Sequence, residues 1–197
     1  MFENIIKNVH NRHPLIHCIT NYVSINDCAN IVLACGGAPI MAEDINEVSQ
    51  ITSICQGLDI NIGMLNDNKL SSMLKAGATA NELGIPVILD PVGAGSSDYR
   101  IKAVQNLMSN VQFGVIRGNV SEIKAIAVKQ GIHNIAAGVY ETMQKDRSAM
   151  GVEAGVADKI TDDNIKEMAD FINKLSQKTG AVIAVTGGID MVADENR

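Results

Sequence analysis

Apolar residues follow two alternating patterns along this chain: short continuous runs, and longer segments with one apolar face. The short runs predict strands buried on both faces, which is typical of parallel sheets. The predicted strands are residues 38–42, 58–63, 87–90, 113–116, 181–185 and 189–193, with a short extended piece near 13–21. The longer segments predict helices at 2–11, 25–35, 43–55, 67–83, 101–108, 121–130 and 161–175.

Polar residues and glycines mark the ends of these predicted helices. Ser24, Asp67 and Thr161 are placed to cap helix N-termini, and Gly84 before Pro86 ends a helix. Alternating strands and helices predict an α/β fold with a mainly parallel sheet and helices on both faces. We expect a single domain over residues 1–197, in which 132–159 has no firm period and forms an insertion-like loop.

Composition narrows the possible classes of function. Of the 197 residues 46% are hydrophobic, and a net charge of −6 with 3% aromatic residues and no Trp argues against a nucleic-acid partner. No apolar stretch reaches the roughly 20 residues of a membrane span, so no membrane partner is expected. The N-terminus lacks the pattern of a signal peptide, and the four cysteines lack CxxC spacing. Both features predict a cytoplasmic protein with free buried thiols.

Two predicted strands end in residues suited to a magnesium–phosphate site. Val87–Ser96 runs from an apolar strand into Asp90 and a glycine-rich turn, and a second strand runs into Arg117 with Glu122 five residues later. Ligands of open α/β sheets lie at the carboxyl ends of strands, and Mg²⁺ binds few carboxylates together with phosphate oxygens. From the residues alone, both carboxylates could equally cap helices, and Arg117 could be a surface pairing residue.

Several short motifs in register resemble the hydroxyethylthiazole kinase family of the ribokinase-like group. The resemblance extends from about residue 13 to the end, apart from 132–159. It implies a ribokinase-like fold. The motifs are His17-Cys18-Ile19-Thr20-Asn21-Tyr22-Val23, Gly37-Ala38-Pro39-Ile40-Met41-Ala42, Asn61-Ile62-Gly63, Pro86 to Gly95, Ile116-Arg117-Gly118-Asn119 with Glu122, and Ala184-Val185-Thr186-Gly187.

This resemblance implies transfer of the terminal phosphate of ATP to the primary alcohol of 4-methyl-5-(2-hydroxyethyl)thiazole, in thiamin salvage. It implies that Asp90 and Glu122 hold Mg²⁺, and that Arg117 and Thr186 bind the nucleotide. It also implies a homotrimer with the thiazole pocket between subunits. Met41, Asn21 and Gly63 are the implied thiazole-binding residues. Without the family, Met41 would be a core residue and Thr186 a turn residue.

One departure from the family concerns the phosphoryl group. Thiazole kinases place a turn of the form Gly-x-Gly-Cys at a helix N-terminus, where its N–H groups stabilise the transferred phosphoryl group. The chain has no such turn, so we expect a C-terminally incomplete domain with no catalytic residue among these 197. The alternatives are a non-catalytic thiazole- and nucleotide-binding form, or another ribokinase-like kinase acting on hydroxymethylpyrimidine or pyridoxal.

Overall fold

The computed structural model describes residues 2–129 and 160–196, and this part of the chain contains seven helices and seven strands. The helices are α1 (Phe2–Arg12), α2 (Ile25–Ala34), α3 (Val48–Ile54), α4 (Asp67–Glu82), α5 (Asp98–Asn110), α6 (Val120–Lys129) and α7 (Ile165–Thr179). The strands are β1 (Leu15–Ile19), β2 (Ala38–Ile40), β3 (Gly57–Asn61), β4 (Val87–Asp90), β5 (Val115–Asn119), β6 (Val182–Thr186) and β7 (Met191–Ala193). The predicted loop at 132–159 lies outside the described residues.

The chain divides into two compact units, Met1–Ile88 and Leu89–Arg197, and β4 begins in the first and ends in the second. In the first unit β1 lies between β2 and β3, and both pairs are parallel. Parallel pairing places the loops that follow β1, β2 and β3 at the same edge of the sheet. These loops carry the predicted thiazole-binding residues.

The second unit also contains a parallel pair of strands, but its last strand is antiparallel. β5 pairs with β6 in parallel, and β7 returns antiparallel to β6. Buried side chains of α6 and α7, among them Ile123 and Phe171, contribute to its core. The predicted α/β class with mostly parallel strands is confirmed. None of the helices in the described residues is long and apolar enough to cross a membrane.

Four helix starts differ from the sequence-based expectations. α5 begins at Asp98 rather than Ile101, because the Ser97 side chain caps it by accepting the Arg100 N–H. α3 begins at Val48 rather than near residue 43, because the Asp44 side chain accepts the Asn46 N–H at 2.8 Å and closes a turn there. α4 is capped by Asn66, one residue before the predicted Asp67. In α7 the N-cap position belongs to Asn164 rather than Thr161, and the Asn164 side chain accepts the Thr161 N–H at 2.8 Å instead of capping the helix.

Candidate active site

The polar end of β4 lies beside the polar end of β5 in the second unit. The side chain of Asp90 contacts Arg117, with 3.7 Å between Oδ2 and Nη1. Asp90 is mostly buried whereas Arg117 is half exposed, so the pair places a carboxylate and a guanidinium fork where they can meet a ligand. The structure thus brings together two of the residues predicted for one site, and it also gives Arg117 the pairing role that the residues alone left open.

Glu122 is buried at the start of α6 and connects two loops through its carboxylate. Oε1 accepts the Gly93 N–H at 2.9 Å, and Oε2 accepts the Asn119 N–H at 2.8 Å. The Asn119 side chain in turn accepts the Glu122 N–H at 2.9 Å, which completes a reciprocal cap at the helix N-terminus. The helix-capping interpretation of Glu122 is therefore confirmed, and the same carboxylate also fixes the glycine-rich turn.

Two glycines make this arrangement possible. Gly93 has a φ of +65°, in the left-handed region that favours glycine. Gly118 leaves room for the carboxylate, since a Cβ there would lie 3.0 Å from Oε2 of Glu122 and 3.4 Å from Pro91. Gly93 therefore allows the backbone of the glycine-rich turn to bend, and Gly118 allows that turn and Glu122 to lie close to β5.

Thr186 lies at the end of β6, beside the end of β5. It is in register with Asn119, and its hydroxyl is 3.5 Å from the carbonyl oxygen of Gly118. Of the four residues predicted to bind metal and nucleotide, Asp90 and Thr186 lie at the ends of β4 and β6, Arg117 lies within β5, and Glu122 lies in the first turn of α6. Their contacts with a ligand stay predictions.

The first unit brings together two of the three predicted thiazole-binding residues. Asn21 donates from Nδ2 to Oδ1 of Asn61 at 3.1 Å, and the Gly63 N–H donates to the same Oδ1 at 2.8 Å. A Cβ at Gly63 would lie 2.9 Å from Asn61 and 3.0 Å from Asn21. Glycine is therefore required where β3 ends, because a larger residue would displace both amides.

Met41 follows β2 directly and is half buried, so it is not part of the fully buried core. Its neighbour Ala42 is held by His17 of β1, whose Nε2 donates to the Ala42 carbonyl oxygen at 2.8 Å. The other ring nitrogen, Nδ1, lies 2.9 Å from the hydroxyl of Thr52. His17 therefore fixes the main chain next to Met41, a role that the sequence motif did not predict.

The buried position of His17 predicts a pH-dependent stability. Burial lowers the pKa of His17, and this outweighs the hydrogen bond to Ala42 and the charge of Glu47, which raise it. Below about pH 6.5 the unfolded chain binds a proton that the folded ring resists, so stability falls as the pH falls. The free energy of unfolding in urea should fall further between pH 7.5 and pH 5.5 for the wild type than for His17→Gln. Equal losses would contradict this role.

A buried lysine, Lys69, connects the same loops. Its exposed fraction is 4%, and Nζ donates to the Thr20 carbonyl oxygen and lies 2.9 Å from Oε2 of Glu43. Nζ also lies 4.6 Å from the centre of the Tyr22 ring, whose hydroxyl donates to Glu43. That hydrogen bond raises the pKa of Tyr22. Partial burial raises the pKa of Glu43, but hydrogen bonds from Tyr22 and Lys69 and the charge of Lys69 together hold it below its usual value.

Comparison with known proteins identifies the family. The profile of the hydroxyethylthiazole kinase family matches residues 6–197. The chain belongs to the hydroxyethylthiazole kinase family. It is similar to the hydroxyethylthiazole kinase of Clostridium acetobutylicum, with 52% identity over 197 residues, 100% of this chain and 66% of that protein. It is 44% identical over 190 residues to that of Methanobrevibacter smithii, covering 96% of this chain and 63% of that one.

A solved member of the hydroxyethylthiazole kinase family has the same fold. The protein from Pyrococcus horikoshii OT3 superposes with a TM-score of 0.79 at 31% identity, covering 98% of this chain and 63% of that one. The chain thus spans less than two thirds of the length of each of these three relatives. The resemblance found in the motifs is therefore confirmed as family membership.

The strand ends of this family member have ligand chemistry that suits a hard divalent cation. Carboxylate oxygens such as those of Asp90 are preferred by Mg²⁺, which keeps several waters and adds phosphate oxygens. No group of three or more His, Cys, Asp or Glu side chains arranged for a metal occurs in residues 2–129 and 160–196. Asp90, with Arg117 beside it, is therefore a carboxylate that could hold a cation together with phosphate oxygens.

Proposed function

We propose that the protein to which these residues belong phosphorylates the primary alcohol of 4-methyl-5-(2-hydroxyethyl)thiazole with ATP, in thiamin salvage. The observation that carries this proposal is the match over residues 6–197 to a family whose members bear that name. The names of the relatives favour this substrate over hydroxymethylpyrimidine and pyridoxal. They also favour an enzyme over a non-catalytic binding form.

The second unit is proposed to bind Mg·ATP. Arg117 would contact phosphate oxygens, for which a planar guanidinium is suited, and Thr186 would contact the nucleotide at the end of β6. Asp90 and Glu122 would hold Mg²⁺, through water in the case of Glu122, because both its oxygens already accept N–H groups. A bound Mg²⁺ would neutralise charge on the phosphates. Phosphoryl transfer depends mainly on such positioning and charge neutralisation.

The first unit is proposed to bind the thiazole. Asn21 and Gly63 meet at the carboxyl edge of its strands, and Met41 lies on the next loop. The thioether of Met41 suits contact with an aromatic heterocycle. The group that activates the alcohol and the phosphoryl-stabilising turn have no counterpart among the 197 residues.

Product analysis tests the proposed reaction. The chain is mixed with hydroxyethylthiazole and Mg·ATP, and the phosphorylated thiazole is sought by mass spectrometry, with calorimetry of both ligands in parallel. Product at a catalytic rate would mean that residues 1–197 suffice. Binding of both ligands without product would place the catalytic turn outside these residues. A chain that folds and binds neither ligand would refute the proposal.

Replacing Met41 with Ala should weaken thiazole binding by about tenfold, because a contact with the ring worth roughly 1–1.5 kcal/mol is lost. Binding of Mg·ATP should be unchanged. Leu83→Ala, at an exposed apolar residue that follows α4 in the same unit, is the control. Equal losses for thiazole and Mg·ATP in titration calorimetry would mean that Met41 acts through the fold.

We also propose the homotrimer that the family resemblance implies. Support comes from α2, which lies within the described residues and is rich in apolar side chains. None of its residues is buried. Ile31, Leu33 and the preceding Val23 are exposed. Such a surface is typical of an interface between subunits. Sedimentation equilibrium at micromolar concentration would distinguish a trimer from a monomer.

A cytoplasmic location is the last element of the proposal. Its support is the state of the cysteines, since Cys18 and Cys55 are buried free thiols. Burial is the main cause that raises the pKa of Cys18, to about 12, so this thiol stays protonated and unreactive at neutral pH. Free buried thiols are typical of a reducing compartment.

A further inference from the structure

We propose that Lys69 is a positioning residue for the thiazole: its ammonium group holds the loops that follow β1 and β2 of the first unit in their binding arrangement. The inference rests on the proposed function, because it concerns the loops that would contact this substrate. It goes beyond that function by assigning a role to a lysine, a tyrosine and a glutamate that the motifs leave without one.

Lys69 contacts the loops that follow three neighbouring strands. It lies in the first turn of α4, directly after the loop that follows β3, and its amide N–H donates to the capping side chain of Asn66 at 2.9 Å. Its ammonium crosses to the loop after β1, where it donates to the carbonyl oxygen of Thr20. It also reaches the loop after β2, where it pairs with Glu43 at 2.9 Å. One residue therefore contacts all three loops, the loop after β3 through its main chain and the loops after β1 and β2 through its ammonium.

These contacts lie next to the predicted thiazole-binding residues in the sequence. Thr20 and Tyr22 flank Asn21, and Glu43 is two residues from Met41. A displacement of either loop would therefore move a predicted thiazole contact. The ammonium itself is buried, so Lys69 acts through these neighbours and is not expected to touch the substrate.

Lys69, Glu43 and Tyr22 each contact the other two. Glu43 accepts hydrogen bonds from both Lys69 and Tyr22, while the Tyr22 ring packs against the ammonium. Such a cation–π contact is strengthened when the cation is removed from water. Removing the buried ammonium would leave the Thr20 carbonyl oxygen and the Glu43 carboxylate without the donor that they share. The three side chains thus behave as one unit, and the loss of Lys69 should release both loops.

The test is calorimetry of hydroxyethylthiazole and of Mg·ATP with the full 197-residue chain. Lys69→Met should weaken thiazole binding by about tenfold, the effect of losing one hydrogen bond to a charged group. The affinity for Mg·ATP should be unchanged, whereas a general loss of folding would lower both. Lys7→Met, which removes the same charge from an exposed lysine of the same unit, is the control. Lys69→Arg keeps a positive charge and should recover part of the thiazole affinity.

Glu43→Gln provides a second variant at a half-exposed position, which decides the question if Lys69→Met does not fold. It should weaken thiazole binding by about threefold, because the charge that pairs with the ammonium is lost. Wild-type thiazole affinity in the folded variants, or parallel losses for thiazole and Mg·ATP, would overturn the inference. Failure of the proposed function would give a different result, because the wild type itself would then not bind thiazole. That result would also overturn the role of Lys69.

Discussion

Asp90→Asn should weaken Mg·ATP binding by about 100-fold while leaving the fold intact, since charge neutralisation at a metal–phosphate site contributes several kcal/mol. Asparagine keeps the shape of the side chain but removes the negative charge that attracts the cation. The ion pair with Arg117 is also lost, but at 3.7 Å and with a half-exposed arginine it contributes no more than about 1 kcal/mol to stability. Titration calorimetry at several magnesium concentrations measures the effect.

Asp98→Asn is the matched control, because Asp98 is an exposed carboxylate in the first turn of α5 in the same unit. We expect its affinity for Mg·ATP to equal that of the wild type. If Asp90→Asn kept wild-type affinity and the same magnesium dependence, Asp90 would not be a metal-binding residue. It would then have a structural role, of which the ion pair with Arg117 is one part.

Glu122→Ala should lower the free energy of unfolding by about 2–4 kcal/mol, because two backbone N–H groups lose their acceptor. These N–H groups belong to Gly93 and Asn119, so the glycine-rich turn and the end of β5 should both loosen. Binding of Mg·ATP should weaken as well. Urea denaturation and calorimetry on the same samples would separate the loss of stability from the loss of affinity.

The chain contains a close control for this substitution. Glu167 occupies the same position of α7 as Glu122 does in α6, three residues after an asparagine cap, but it is exposed. Glu167→Ala should cost only about 0.5 kcal/mol. A similar small cost for Glu122→Ala would mean that its contact with the Gly93 turn contributes nothing beyond ordinary helix capping.

The strand ends of the second unit could be predicted because their pattern is local. An apolar run that stops at a polar residue indicates a strand without knowledge of the rest of the fold, and it places Asp90 correctly at the end of β4. It ends the next strand too early, since β5 continues past Arg117 to Asn119. The metal and nucleotide roles of these residues still depend on the family resemblance and stay predictions.

Helix starts were predicted less well, because several neighbouring polar residues can cap the same helix. Asp67 and Thr161 were both wrong as caps, and Asn66 and Asn164 have these positions. Asparagine and aspartate have nearly equal capping preferences, so the choice between adjacent residues depends on the approach of the chain. That approach is set by tertiary structure.

Lys69 could not be identified from the sequence at all. A lysine in the first turn of a helix usually lies in solvent, and nothing next to it in sequence indicates burial. Its partners are far away along the chain, and only the parallel pairing of β1, β2 and β3 brings them together. The sequence predicts such contacts only when the order of strands in the sheet is already known.

The reach of Lys69 also has a consequence for the rates of folding and unfolding. It joins residues 49 positions apart, Lys69 and Thr20. Closing so long a segment costs conformational entropy that is recovered only after the strands between have paired. The contact should therefore be absent from the folding transition state, and substitutions at Lys69 should accelerate unfolding while leaving the folding rate nearly unchanged. The loops at this edge would then be assembled last and lost first.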